Sequence, residues 1–238
     1  MKDTEPREYS PVDRPLSRAA AYYSLLAPWY DILAGSEKRY IRQGLTLLDP
    51  KPGEWVLEIG FGTGYAQKRI IPILKDGFSA GVDLSTGMAR SAQLKLGRAG
   101  LSAYAGLTIS DSLPLPFPEN TFDALFSSFT LELFDTPQIP ILLGEFRRVL
   151  KRGGRLVVVS LSKDQPLGAM GRLYETFHNH FPTLADCRPI PVRKILEENG
   201  FEVARFEDLK MWGLPVSLAK GLRRDSLEGI TASGSLIK

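Results

Sequence analysis

Three carboxylates and three glycines carry the first chemical signal in the 238-residue sequence. Gly60, Gly62 and Gly64 crowd the stretch VLEIGFGTGYAQ, directly behind a short apolar run that contains Glu58. A glycine turn after a strand lets backbone approach an anionic or nucleotide-like ligand closely. A P-loop needs Lys and then Ser or Thr after its last glycine; Tyr65 and Ala66 stand there instead. A dinucleotide turn needs Gly or Ala at the sixth place, which is Tyr65 counted from Gly60 and Gln67 counted from Gly62. What remains is a carboxylate two residues before the turn, which repels pyrophosphate and suits a ligand with positive charge. Asp83 ends the next apolar run, where its two oxygens suit a ribose diol, and Asp111 follows a third, weaker run. A glycine turn in an unrelated α/β protein and solvated strand-end acids are the competing readings.

A second constellation lies in GRLYETFHNHFPTLADCRPIPVRK. It holds both histidines, His178 and His180, beside Tyr174, Glu175, Asp186 and Arg188. His178 follows Tyr174 by four residues, so on a helix over 167–181 the two share a face. An imidazole titrates near neutrality and can take a proton from a phenol or an enolic carbon. Tyr174 would orient such an acceptor, and Arg188 would hold a developing oxyanion. The alternative is that the histidines cap the helix or lie in water. A metal site from His178, His180 and Cys187 is disfavoured, because one intervening residue puts the histidines on different helix faces. No metal is expected.

The elements that must position these groups alternate along the chain. Residues 16–48 read as helical, interrupted at Pro28. Strands are expected at 55–59, 79–82, 108–110, 122–129 and 155–161, with helices at 65–74, 86–97 and 139–150 between them, and KRGG as a turn before the last strand. This is the rhythm of βαβ units and a parallel sheet covered on both faces. Beyond Ser162 it changes: a segment without strands, a helix at 192–199, and two closing strands at 202–209 and 213–219. The implied organisation is one domain: 1–50 an arm and helical cap, 51–162 a cofactor-binding core, 163–191 a lid, 192–222 the closing elements and 223–238 a tail.

Composition excludes several classes. Thirty basic against 27 acidic residues, a net charge of +3, give no electrostatic footprint for nucleic acid. Cys187 is the only cysteine, so no internal disulfide forms and a reducing, cytoplasmic setting is expected. The N-terminal MKDTEPREYSPVDRP is unlike a signal peptide, and no apolar run approaches the roughly 20 residues of a membrane helix. Two basic clusters stand out. RRVLKRGGR reads as an exposed helix end complementing its dipole. KGLRR, with Arg193 and Lys194, could bring the membrane of a lipid-bearing acceptor to the site as a peripheral contact.

VLEIGFGTG, GVDLS, ISDSLPLPFPENTFDALFSSFTLEL and EFRRVLKRGGRLVVVS, in this order, resemble the motifs of class I S-adenosylmethionine-dependent methyltransferases. They are most similar to the branch containing the ubiquinone and menaquinone biosynthesis methyltransferases, over about 22–161. The resemblance implies a Rossmann-like, seven-stranded, mostly parallel sheet of order 3-2-1-4-5-7-6 with strand 7 antiparallel. It gives Gly60, Phe61, Gly62 and Gly64 the methionine portion of S-adenosylmethionine, Glu58 its ammonium and Asp83 its ribose. Leu84 and Met88 would flank the adenine, with Asp111 and Ser112 meeting its edge; Ser128 and Phe129 would line the methionine side. Tyr22 and Tyr30 match tyrosines of the opening helices, whereas Tyr23 and Trp29 are expected in simple packing. The implied reaction is methyl transfer to a small or lipophilic acceptor, a hydroxylated aromatic or quinol ring first and an amine or phospholipid head group second, by a monomer or homodimer. A non-catalytic S-adenosylmethionine-binding protein is the alternative from another class.

Overall fold

The computed structural model describes residues 16–110, 113–164 and 188–224. Its centre is a seven-stranded sheet of order β3-β2-β1-β4-β5-β7-β6. The strands are β1 (Trp55–Ile59), β2 (Phe78–Asp83), β3 (Ala105–Ile109), β4 (Phe122–Ser128), β5 (Leu150–Leu161), β6 (Phe201–Met211) and β7 (Leu214–Arg223). The first five pair in parallel; β7 runs antiparallel to both β5 and β6. The expected architecture and strand order are therefore present.

Helices α1 (Leu16–Leu33), α2 (Glu37–Leu48), α3 (Gln67–Leu74), α4 (Thr86–Arg98), α5 (Gln138–Val149) and α6 (Val192–Glu198) complete the described fold. Side-chain alternation along each strand splits the interior into two layers. Leu57, Ile59, Leu125 and Val158 pack with Leu142, Phe146 and Ile195 on one face. Val56, Phe126, Val157 and Val159 pack with Tyr40, Leu48, Ile70 and Leu74 on the other. Glu58 shares the parity of Val56, so its carboxyl is directed to the α2–α3 side, where it meets Gln67 at the start of α3.

Several boundaries differ from those read off the sequence. The first helix is not broken at Pro28, which lies inside α1; the chain turns at Ala34–Ser36 instead. Proline removes the N–H that would bond the Ser24 carbonyl. The Ser24 side chain ties this part of α1 to α4: its Oγ lies 2.9 Å from Ser85 Oγ and accepts from Gly87 N at 3.2 Å. A Cβ on Gly87 would stand 2.5 Å from the Ser24 carbonyl oxygen. The cap helix thus sits against the first turn of α4 as closely as glycine permits.

KRGG is not a turn outside the strand. β5 begins at Leu150, paired with Phe122, and the register resumes only at Ala124 opposite Arg155. The intervening residues bulge, with Gly153 at φ 69. The closing strands are longer than expected and carry the chain to Arg223.

Arg147 and Arg148 of RRVLKRGGR stand in the last turn of α5, as expected of a helix end complementing its dipole. Arg148 pairs with Glu145 at 2.6 Å and donates to the carbonyls of Leu115 and Phe117, tying the LPLPFPENT loop to α5. Arg223 donates to Asn120 Oδ1 at 2.7 Å and to the Leu150 carbonyl, at the starting ends of β4 and β5. KGLRR consequently lies at the end of the sheet opposite the carboxyl ends of the parallel strands, whereas Arg193 and Lys194 stand in the first turn of α6, beside Asp164 just past the carboxyl end of β5.

Candidate functional site

At the carboxyl ends of β1, β2 and β4, under α1, lies a cavity that opens to solvent, with about 1030 Å³ of empty space when its open mouth is counted. Open α/β sheets place ligands at this edge because adjacent crossovers leave in opposite directions there. The glycine turn forms the floor. Gly60 has φ 75, and a Cβ on it would stand 2.0 Å from Thr130 Oγ1, so no side chain fits between the β1 and β4 exits. Gly62 has φ 51 and open space where its Cβ would be, a backbone cradle facing the cavity. Gly64 packs against Ala92 of α4, outside the lining.

Glu58, Gly60, Phe61 and Gly62 line the cavity with Asp83, Leu84 and Met88. Ser128 and Phe129 line it from the end of β4. Nine residues expected from separate motifs are thus brought to one wall. Glu58 is 2% exposed, and its Oε2 has no hydrogen-bond partner among the described residues. Burial pushes its carboxyl well above the ordinary range; the Gln67 side chain opposes this and the charge of Asp83 adds to it. A buried oxygen without a partner is costly unless a ligand supplies one. An ammonium group is the fitting complement.

Asp83 is also raised, again by burial, with the Ser85 and Gly62 N–H groups opposing. Its Oδ2 accepts from Gly62 N at 2.7 Å and its Oδ1 from Ser85 N at 2.8 Å. Each oxygen keeps one lone pair for a ligand hydroxyl. Asp83 therefore has a role the sequence did not show: it fastens the glycine turn to the N-terminus of α4.

From the cap, Tyr30 lines the cavity and donates to Glu37 Oε2 at 3.4 Å. Tyr23 lines it too, in the place expected for Tyr22, which packs edge-on against Tyr23 with ring centroids 5.8 Å apart. Trp29 is not packed inside; it is 65% exposed. Asp31 was not singled out in the sequence, yet it lines the cavity at the centre of a polar knot. It accepts from Thr63 Oγ1 and from Lys95 Nζ, each at 2.7 Å, joining α1 to the glycine turn and α4. Burial raises Asp31, but those two hydrogen bonds and the Lys95 charge outweigh it and leave the carboxyl below its usual value. A lone Asp in an aromatic helix offered no spacing signal that could have revealed this.

Of the acceptor-side candidates, Arg188 is buried and holds the loop after β4, donating to the Phe134 carbonyl at 2.6 Å and to Thr136 Oγ1 at 3.2 Å. It supports the wall at Phe134, which lines the cavity. Tyr174, His178, His180 and Cys187 lie outside the described residues, as do Asp111 and Ser112.

Residues 56–154 match the family described as Methyltransferase domain. The chain is 31% identical over 160 residues to the demethylmenaquinone methyltransferase of Thermus thermophilus, covering 65% of this chain and 70% of that one. It is 27% identical over 229 residues to the ubiquinone/menaquinone biosynthesis C-methyltransferase of Roseobacter denitrificans, covering 86% and 90%. Among solved structures, the cyclase SpnF aligns with a TM-score of 0.71 at 18% identity over 90% of this chain and 99% of that one, a likeness of fold. The chain belongs to the class I S-adenosylmethionine-dependent methyltransferases. Within that class it groups with the ubiquinone/menaquinone biosynthesis enzymes.

Proposed function

We propose that this methyltransferase acts on a hydroxylated aromatic or quinol ring carried by a lipophilic acceptor, with methylation at ring carbon. The observation that carries the reading is the orphaned Glu58 oxygen beside the Gly62 cradle and Asp83, in a cavity whose far wall is aromatic and apolar. Phe129, Leu133 and Phe134 form that wall beyond the glycine turn. The relatives' names, a C-methyltransferase and a demethylmenaquinone methyltransferase, agree with it.

Bound S-adenosylmethionine supplies an electrophilic methyl group on a sulfonium. Glu58 would hold the ammonium, with the Gly60–Gly62 backbone along the methionine portion. Asp83 would accept from the ribose hydroxyls through its remaining lone pairs. Leu84 and Met88 would flank the adenine, whose far edge falls to Asp111 and Ser112. Tyr23 and Tyr30 present aromatic rings from the cap, favourable near a cation. Displacement at the methyl needs alignment and exclusion of water, to which the cap helix over the cavity would contribute.

Lipophilic delivery has support at the cap. Leu25, Trp29 and Ile32, spaced four and three residues apart on α1, are 77%, 65% and 75% exposed. They form an outward apolar stripe on the helix that roofs the cavity, suited to peripheral contact with a lipid surface. No helix among the described residues is long and apolar enough to cross a membrane.

The reading is tested by presenting purified protein with separate pools of prenylated hydroquinones, simple phenols, and amines including phospholipid head groups. Release of S-adenosylhomocysteine is followed in each. The expected result is turnover with the hydroquinones; turnover confined to the amine pool would transfer the assignment to N-methylation.

A further inference from the structure

S-adenosylmethionine carries an ammonium and a carboxylate on one carbon of its methionine end. Glu58 answers the first; the second calls for a cation close by. Four carboxylates line the cavity, those of Asp31, Glu37, Glu58 and Asp83, whereas among the described residues only one basic side chain does, that of Lys38 on α2. An anion entering a cavity of that composition is repelled unless a cation meets it directly.

Lys38 is held at the right place. Its Nζ donates to the Asp31 carbonyl at 2.6 Å and stands 5.4 Å from the centre of the Tyr65 ring. Tyr65 lines the cavity at the close of the glycine turn, two residues before Gln67, which meets the Glu58 carboxyl. Lys38 and Glu58 are therefore both brought to the start of α3, as the partners of two groups on one carbon must be. Two further cations crowd the same phenol: Arg69 lies 3.6 Å over the ring, and Arg42 Nη1 donates to the hydroxyl at 3.0 Å. None of these three cations is in an ion pair among the described residues. Asp31 feels the charge of Lys38, but its carboxyl is already bonded to Thr63 and Lys95. An ammonium group has three donors and the Asp31 carbonyl takes one, so two remain for a ligand.

We propose that Lys38 binds the methionine carboxylate of S-adenosylmethionine, beside the ammonium held by Glu58, and so selects cofactor that keeps its whole amino-acid end. The proposal rests on the cofactor reading above and is independent of which acceptor is methylated. Bracing of the cap alone would need only the bond to Asp31; it would require neither a place in the cavity wall nor positive charge gathered on Tyr65.

The test is calorimetric binding of S-adenosylhomocysteine and of its decarboxylated analogue to wild type and to Lys38→Met, at one ionic strength. Wild type should prefer S-adenosylhomocysteine by about 10-fold or more. Lys38→Met should weaken S-adenosylhomocysteine by about 10-fold to 100-fold, the scale of a lost charge-assisted hydrogen bond. It should bind the decarboxylated analogue within about threefold of wild type, so that the preference disappears. Lys38→Arg should keep much of the preference. Equal losses for both ligands would mean that Lys38 only braces α1, and unchanged S-adenosylhomocysteine binding would mean that it meets no carboxylate; either result overturns the proposal. Should Lys38→Met lose its melting transition, Lys38→Gln takes its place with the same expected outcomes. A wild type that binds neither adenosyl compound would sink the cofactor reading itself, whereas one that binds both equally would overturn only the role of Lys38.

Discussion

At the scale of single residues, two carboxyls stand out: Glu58 in the cavity wall and Glu132 in the turn behind it, each buried with one oxygen that has no hydrogen-bond partner among the described residues. Both stand above their ordinary pKa, so the folded protein holds protons that the unfolded chain releases as pH rises past the usual glutamate value. Stability contributed by their neutral forms is complete below the unfolded value near 4.5 and is lost as pH rises toward the folded value, about 8 for Glu132. Replacing Glu132 by Gln should therefore leave stability near pH 4.5 little changed and give a variant more stable than wild type near pH 8, by on the order of a few kcal/mol. Urea melts at both pH values read this directly; parallel stability curves would mean the carboxyl is solvated. Asp83→Ala should weaken S-adenosylhomocysteine binding by about 1.5–3 kcal/mol, the scale of lost charge-assisted hydrogen bonds. Asp83→Asn should lose less than Ala, since its amide oxygen can still accept from Gly62 or Ser85; equal losses would show that clamping the turn is not part of its role. Gly60→Ala should cost at least ~2 kcal/mol of folding stability, from backbone strain and collision with Thr130 together.

The elements show where sequence reasoning reached and where it stopped. The βαβ alternation was legible because the central strands carry dense apolar stretches, as in Val157, Val158 and Val159 of β5, separated by helix-length segments. Pro28 misled because a helix-breaking rule is local, whereas tertiary contact holds α1 through that turn, with Ser24 Oγ bonded to the start of α4. KRGG misled for the converse reason: a turn-like composition was accommodated as a bulge within a strand pairing set by its neighbours. Glu58 and Asp83 announced themselves through spacing to the glycines. Glu132 and Asp31 did not, since the first lies in a turn defined by tertiary contact with Leu161 and the second depends on Thr63 and Lys95, 32 and 64 residues away. The cap's hold on α4 has its own consequence. Gly87→Val should drive a side chain into the Ser24 backbone, lift α1 and speed amide exchange in 16–33 while leaving β1, β4 and β5 protected. Unchanged exchange in α1 would mean that the cap is held elsewhere.

The whole molecule divides its labour by the ends of one sheet. The carboxyl ends of the parallel strands carry the cavity, the two orphaned carboxyls and the roofing helix with its exposed Leu25, Trp29 and Ile32. The opposite end carries structural ties such as Arg223 with Asn120 and Arg155 with Glu54. The exposed apolar stripe on α1 thus lies at the same end of the sheet as Phe129, Phe134 and the glycine turn. The proposed reaction transfers a methyl group to a ring carbon of a lipid-borne acceptor. It is tested most directly by incubating the protein with methyl-carbon-13 S-adenosylmethionine and a prenylated hydroquinone, then locating the label by NMR. The expected product carries a labelled aryl methyl on ring carbon, formed in equal amount with S-adenosylhomocysteine. Label on oxygen or nitrogen, or no transfer while S-adenosylmethionine is bound, would contradict it.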